Sequence, residues 1–246
     1  MNHATLEKNI GLMAVLSVIA ISFGGLAEIV PLMFQAQVIE PVPGLKPYPP
    51  LQVAGRDIYI REGCYNCHSQ MIRPFVDEVV RYGEYSKPGE FVYDHPFQWG
   101  SRRIGPDLAR EGAKPDGPRS NLWHERHLTD PRSTSPGSIM PSYAFLGRDT
   151  IDWDSISSRI GAMVTLGVPY DEEARAHGAD EARAQARKIA DDIAAQGGPT
   201  DLADKEVVAV IAYLQRLGTD IKARPPTTAG ADPPAAAPAV ATHGGK

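Results

Sequence analysis

Both cysteines of the 246-residue chain lie in one short stretch, EGCYNCHSQM, at residues 62–71. They are Cys64 and Cys67, and His68 follows directly. On a helical turn, side chains at positions i, i+3 and i+4 share one face, so two sulfurs can reach the vinyl groups of one porphyrin while the imidazole reaches its iron. Cys-x-x-Cys-His is the attachment signature of c-type haem. The motif therefore predicts one covalently bound haem c, with His68 as an iron ligand.

Two other chemistries use closely spaced cysteines. A thioredoxin-like dithiol belongs to a βαβ setting, and the sequence has no convincing strand alternation. A structural zinc site needs a second pair of ligands at close spacing. Neither chemistry requires a histidine directly after the second cysteine, so haem attachment is the favoured interpretation.

A haem iron held by one histidine has either a sixth ligand or an open site. Of the six methionines, Met140 and Met163 are the candidates, because the others are terminal, lie in an apolar segment or directly follow the haem motif. Met140 stands in SPGSIMPSY, where proline favours an extended loop, whereas Met163 lies in a helical pattern typical of packing. We favour Met140. His124 and His127 are the competing ligands, and a bis-His pair would lower the reduction potential.

The stretch RRIGPDL contains a rigid turn at Gly105 and Pro106. An iron-bound histidine normally donates its second ring N–H to an acceptor. We expect the Pro106 carbonyl to accept this hydrogen bond from His68. Gly105 and Pro106 thereby join Cys64 and Cys67 in the predicted haem-binding set, which Met140 completes.

An apolar segment lies near the N-terminus. Residues 10–27 carry no charge, and apolar character resumes after Glu28. At a rise of about 1.5 Å per residue, residues 10–34 can cross a hydrocarbon core of roughly 30 Å as a helix. A cleaved signal peptide is the alternative, since residues 25–27 form a small-x-small site, but the apolar pattern continues past that site. We therefore predict a transmembrane anchor over residues 10–35.

Composition divides the rest of the chain. Five prolines between positions 41 and 50 predict an extended, semi-rigid linker over residues 36–50. Residues 222–246 are rich in Pro, Ala and Gly and predict a disordered tail. Between them we expect one domain, residues 51–221, with an Ala-rich helical insertion at about 171–196. Residues 1–9 precede the anchor.

Helical patterns dominate the domain and predict a mainly α fold. The expected helices are 53–62, 121–128 with Asn121 as N-cap, 154–167, 171–196 as a solvated helix interrupted near Gly178, and 202–218. A net charge of −5 without clustered Lys and Arg argues against a nucleic-acid partner.

In sequence order, the haem motif, the Gly-Pro turn, the Met-Pro pair and the helix VVAVIAYLQRLG resemble a class I cytochrome c domain. More narrowly, EKNIGLM, GRDIYIREGCYNCHSQMIRPF, DHPFQWGSRRIGPDLAR and SIMPSY closely resemble the mono-haem subunit II of cbb3-type cytochrome c oxidases. The resemblance runs from residue 7 to about residue 217 and is far more specific than the haem motif alone. Cys64, Cys67, His68 and Met140 match the haem positions of that family.

The resemblance implies a non-catalytic electron relay within a proton-pumping oxidase. Members of that family are anchored in the bacterial cytoplasmic membrane, with the N-terminus in the cytoplasm and the haem domain in the periplasm. They pass electrons from a di-haem c subunit or soluble cytochrome c towards haem b of a catalytic subunit, which also holds a high-spin haem and copper. Oxygen chemistry is therefore expected on that partner chain and not on this one.

Other functions fit the same motif. One is the mono-haem subunit of a nitric oxide reductase, and another is a free-standing membrane-anchored cytochrome c. A haem enzyme or gas sensor with an open sixth site is the third. Within the oxidase hypothesis, Glu28 meets partner helices or lies at the membrane interface. Trp99, Arg102 and Arg103 either dock against haem propionates of the partner or form an exposed basic turn.

Overall fold

The computed structural model describes residues 3–35, 38, 40–100 and 102–222. The tail predicted for residues 222–246 falls outside this range apart from its first residue. The helices are α1 (His3–Lys8), α2 (Ile10–Leu32), α3 (Pro50–Arg61), α4 (Val76–Tyr82), α5 (Asn121–Thr129), α6 (Pro131–Thr134), α7 (Ile156–Thr165), α8 (Glu172–Ala195) and α9 (Glu206–Arg216). The described residues contain no strand beyond one isolated bridge between Thr150 and Lys205. The predicted mainly α fold is confirmed.

Helix α2 is the candidate membrane anchor. It spans 23 residues, its most apolar 18-residue stretch has a mean hydropathy of 2.3, and none of its side chains is buried against the rest of the protein. At about 1.5 Å per residue this length suffices to cross a bilayer core. The helix begins where the Asn9 side chain accepts a hydrogen bond from the Leu12 N–H at 3.0 Å, and Pro31 lies in its last turn. It therefore ends three residues before the predicted boundary of the anchor.

The core of the domain is built on the crossing of α3 and α9. A Cβ added at Gly55 would lie 1.9 Å from the Ala209 carbonyl oxygen, so only glycine permits this approach of the two backbones. The rings of Tyr59 and Tyr213 pack edge to face beside the crossing, with centroids 5.4 Å apart. The Tyr213 hydroxyl donates to Gln70 Oε1 at 3.1 Å, which ties the segment after the haem motif to α9.

Helix α8 differs from its prediction in two ways. It continues without interruption past Gly178, which is itself buried. Its buried residues are Gly178, Ala182, Ala186, Ala190 and Ile193, three to four positions apart, so one face packs against the core. The prediction of a solvated, interrupted helix was wrong, because small residues at this spacing let α8 lie close to its neighbours. At Gly178 an added Cβ would already contact Pro50 and Ile156.

Helix ends and the linker also depart from expectation by small shifts. Helix α3 begins at Pro50, inside the predicted linker, and Ser120 rather than Asn121 caps α5 by accepting from the Trp123 N–H at 3.1 Å. The Val42 N–H donates to the Gly89 carbonyl at 3.0 Å, and the Tyr48 ring packs against Tyr213. The end of the linker thus lies on the domain.

Arg103 anchors the segment that follows the haem motif. Its guanidinium donates to Ser69 Oγ, to the Met71 carbonyl and to Glu78 Oε2, each at 2.7 Å. Asp107 completes the network, because its Oδ2 accepts from the Ser69 hydroxyl at 2.6 Å and from the Met71 N–H at 3.0 Å. Arg103 therefore links two loops of its own chain. Its guanidinium is engaged in these contacts and does not stand free on an exposed basic turn.

Glu78 supplies a prediction for acid stability. Hydrogen bonds, first from Arg103 and then from Arg73, hold the pKa of Glu78 at about 2, below its ordinary 4.5. Because the folded pKa is depressed, this carboxylate stabilises the fold above about pH 4.5, and the stabilisation is lost as pH falls towards about 2. We expect Glu78→Gln to lower the free energy of unfolding by about 1–3 kcal/mol at neutral pH and to flatten part of the acid-induced fall in Tm.

Thermal unfolding of the full chain in detergent, followed from neutral to acidic pH, measures both effects. The matched control is Glu84→Gln, because Glu84 pairs with Lys87 at a mostly exposed site where an ion pair contributes little. Equal losses in the two variants would contradict the role of Glu78.

Candidate functional site: a cavity around the Cys-x-x-Cys-His turn

A cavity of about 530 Å³ opens beside the α3–α9 crossing. Its volume lies in the range of small-molecule and cofactor sites, and its walls are mostly apolar. Tyr59 of α3 and Val210 and Leu214 of α9 form part of the wall. The structure brings every predicted haem-binding residue into this wall, namely Cys64, Cys67, His68, Gly105, Pro106 and Met140.

One tight turn presents the haem motif to the cavity. The Cys64 carbonyl accepts from the Cys67 N–H at 3.1 Å and from the His68 N–H at 3.0 Å, so the three side chains emerge from the same turn. The cysteines form no disulfide with each other and both are half-buried. Burial raises the pKa of the Cys64 thiol to about 12. A redox dithiol uses a low-pKa thiolate, so this environment disfavours the thioredoxin-like alternative.

The Gly-Pro turn orients His68. The His68 ring nitrogen Nδ1 lies 2.8 Å from the Pro106 carbonyl oxygen, the hydrogen bond that the sequence predicts. With Nδ1 as the donor, Nε2 is left to face a metal. The backbone of Gly105 packs directly against the imidazole. A Cβ added at Gly105 would be 2.2 Å from His68 Cε1, so this position has no room for a side chain. Its own N–H donates to the Cys67 carbonyl at 3.0 Å, which fixes the turn against the haem motif.

Gly105→Ala is expected to disturb this arrangement strongly. The new methyl group must displace either the imidazole or the turn, and overpacking of this kind costs about 1–3 kcal/mol. We expect a severalfold lower ratio of haem to protein after purification, measured from the pyridine haemochrome spectrum. Gly161→Ala is the control, since an added Cβ there meets nothing within 4 Å. Full haem content in both variants would show that the close packing of Gly105 on His68 is not needed for haem binding.

The two candidate methionines occupy different places. Met140 lines the cavity, and its N–H donates to Ser138 Oγ at 3.2 Å. Met163 is only 6% exposed and packs in a separate apolar cluster with Val53, Ile160 and Val168. The packing role expected for Met163 matches this position, and Met140 is the methionine that the structure brings beside the haem motif.

His124 and His127 also lie in the cavity wall. His124 is buried. Its Nδ1 lies 2.9 Å from the Ser120 carbonyl oxygen, whereas its Nε2 has no hydrogen-bond partner among the described residues, although it lies 3.2 Å from Glu111 Oε1. His127 stacks on Trp123, and its Nδ1 lies 2.6 Å from Thr134 Oγ1. Burial, together with the charge of His124, lowers the pKa of His127.

Sequence reasoning did not identify the charged residues Glu111, Lys114 and Arg119 as part of the cavity wall, a group that we call the charged corner of the cavity. Glu111, Lys114 and Arg119 supply the charged carboxylate, ammonium and guanidinium groups of the wall. Burial acts to raise the pKa of Glu111, but the close contacts with His124 and Lys114 outweigh it and hold this pKa at about 2. The available signal was the run of charged residues directly after the Gly-Pro turn, which an unaided sequence does not distinguish from a solvated loop.

The cavity fits a haem on its own chemistry. It offers two thiols for attachment, an oriented imidazole, a thioether and an apolar lining. Tyr59 belongs to the wall, and its buried hydroxyl has no hydrogen-bond partner among the described residues. Within the described ranges, no three His, Cys, Asp or Glu side chains converge to hold a metal ion.

The chain was compared with models of protein families and with curated proteins. A family model described as "Cytochrome C oxidase, mono-heme subunit/FixO" matches residues 3–221. The comparison with curated proteins gives no match. The matched region includes the candidate anchor, the haem motif and every residue of the cavity wall. The resemblance to the mono-haem subunit of cbb3-type oxidases is thereby confirmed, and the chain belongs to the FixO family of mono-haem cytochrome c oxidase subunits.

Proposed function

We propose that this chain relays electrons through one covalent haem c to the catalytic subunit of a cbb3-type oxidase. The observation that carries the proposal is the cavity in which both cysteines, His68 and Met140 meet. Family membership supports an oxidase subunit with one haem, and the cavity supports where that haem is held. Cys64 and Cys67 would form its thioether bonds, and His68 and Met140 would hold its iron.

The bound haem supplies a one-electron Fe(III)/Fe(II) couple. Residues of this chain set the reduction potential of that couple and limit its contact with water. His68 donates through Nδ1 to the Pro106 carbonyl, which orients its ring and raises its basicity as a ligand. The Met140 thioether favours Fe(II), which raises the potential relative to two histidines. The apolar wall limits access of water and therefore the reorganisation that accompanies electron transfer.

Electron relay requires no acid, base or nucleophile on this chain. Oxygen reduction belongs to a catalytic partner with haem b, a high-spin haem and copper, and the immediate donor is a di-haem cytochrome c subunit or soluble cytochrome c. Haem attachment takes place on the outer side of the bacterial cytoplasmic membrane. The domain of residues 51–221 is therefore periplasmic, residues 10–35 span the membrane and residues 1–9 are cytoplasmic.

Purification of the complex from membranes in detergent tests this function. We expect haem b, haem c and copper to co-purify with the chain, and we expect the complex to consume oxygen with reduced cytochrome c. The separated chain should be reduced and reoxidised without consuming oxygen. Oxygen turnover by the chain alone would contradict the proposal. Co-purification with haem b but without copper would indicate the nitric oxide reductase alternative.

A further inference from the structure

The charged corner of the cavity has no part in ligating iron. Its carboxylate, ammonium and guanidinium groups come from one short stretch, residues 111–119, while the rest of the wall is mostly apolar. A haem is similarly one-sided, since both of its propionate carboxylates project from one edge of the porphyrin. A carboxylate brought to an apolar cavity needs cations or hydrogen-bond donors beside it.

We propose that Arg119 and Lys114 form the binding site for the two propionate carboxylates of the haem. This inference rests on the proposed function, because it requires a haem in this cavity. It places the propionate edge of the haem beside residues 111–119 of the wall and the thioether edge at the turn of Cys64 and Cys67.

Arg119 is placed to receive a carboxylate. Its guanidinium carbon lies 4.6 Å from the centroid of the Trp123 ring, and Trp123 in turn stacks on His127. Within the described part of the chain, the Arg119 side chain forms no ion pair within 4.0 Å. A guanidinium that lies over an aromatic ring can still donate from its N–H groups to a carboxylate in a bidentate contact.

An ion pair with Glu111 holds Lys114 at the cavity wall. Its Nζ lies 2.6 Å from Glu111 Oε2, and the other Glu111 oxygen lies 3.2 Å from His124 Nε2. Glu111 is buried, so this contact fixes the ammonium group at the cavity surface. One of the three ammonium donors meets Glu111, which leaves the others for a second carboxylate.

The site has a measurable electronic consequence. Ferric haem carries one more positive charge than ferrous haem, so cations beside the propionates balance their negative charge and favour Fe(II). Removal of Arg119 should therefore shift the equilibrium towards Fe(III). We expect Arg119→Gln to shift it three- to tenfold, where tenfold corresponds to 59 mV for a one-electron couple.

The experiment uses the full chain in detergent with its covalent haem. Potentiometric titration gives the shift, and the propionate bending mode in the resonance Raman spectrum reports on the carboxylates directly. Arg119→Gln and Lys114→Met should each lower the potential and move that mode, while Arg119→Lys should retain most of the potential. Arg183→Gln is the matched control, since Arg183 also lies over a tryptophan, 5.2 Å from the Trp153 ring centroid, but outside the cavity wall.

The possible outcomes are distinct. If Arg119→Gln and Lys114→Met both keep the potential and the Raman mode of the unaltered haem protein, the site is overturned while the relay function stands. The same holds if Arg119→Gln weakens only binding of the catalytic subunit. If Arg119→Gln does not fold, Arg119→Lys decides through its Raman mode, which should move without loss of haem. Absence of covalent haem from the unaltered chain would overturn the proposed function and the propionate site together.

Discussion

Met140→His is expected to lower the reduction potential of the haem by an amount on the order of 0.1–0.3 V, within the roughly 0.8 V range that axial ligands cover. The thioether of Met140 favours Fe(II), whereas a second imidazole favours Fe(III). The variant should also lose the weak far-red absorption band by which methionine ligation of ferric haem is recognised. Potentiometric titration and absorption spectra of the purified full chain measure both changes.

The control for that substitution is Met163→Leu. Met163 packs against Val53, Ile160 and Val168, and a volume-conserving exchange in a core usually costs less than about 1.5 kcal/mol. We expect this variant to keep both the potential and the far-red band. If the band survived in Met140→His and disappeared in Met163→Leu, the iron ligand would be Met163 and not Met140.

Substitution of both cysteines by serine is expected to abolish covalent haem. The chain has no other cysteine, so no second thiol can replace Cys64 or Cys67. Protein from the double variant should show no haem after denaturing electrophoresis and peroxidase staining, and the complex should lose oxidase activity. Each single variant keeps one thioether bond and should retain stain. A stained band from the double variant would mean that the haem is tethered elsewhere.

The turn that carries the haem motif could be predicted from the sequence because its chemistry is local. Two thiols and an imidazole within five residues constrain one turn of backbone, and the contact between His68 and Pro106 follows from the need of a ligating imidazole for an acceptor. Met140 was reached by elimination, since few methionines were placed to meet the iron. The helical patterns gave α3, α5, α7 and α9 to within a few residues at each end.

Features that depend on contacts between distant segments were not predictable in this way. The buried face of α8 arises from small residues that pack against other helices, and the same composition is typical of an exposed helix. Arg103 has the sequence context of a basic surface turn, yet Ser69, Met71 and Glu78 engage it. Glu111 and His124 likewise lie in different segments, and they come close to each other only in the folded chain.

Intact mass spectrometry of the denatured, solvent-washed chain tests covalent attachment most directly. Two thioether bonds at Cys64 and Cys67 predict the mass of the polypeptide plus one haem, and fragmentation should confine the added mass to the peptide that contains residues 64–68. The mass of the bare polypeptide, with all colour removed by acidic acetone, would contradict a tethered haem and with it the electron relay.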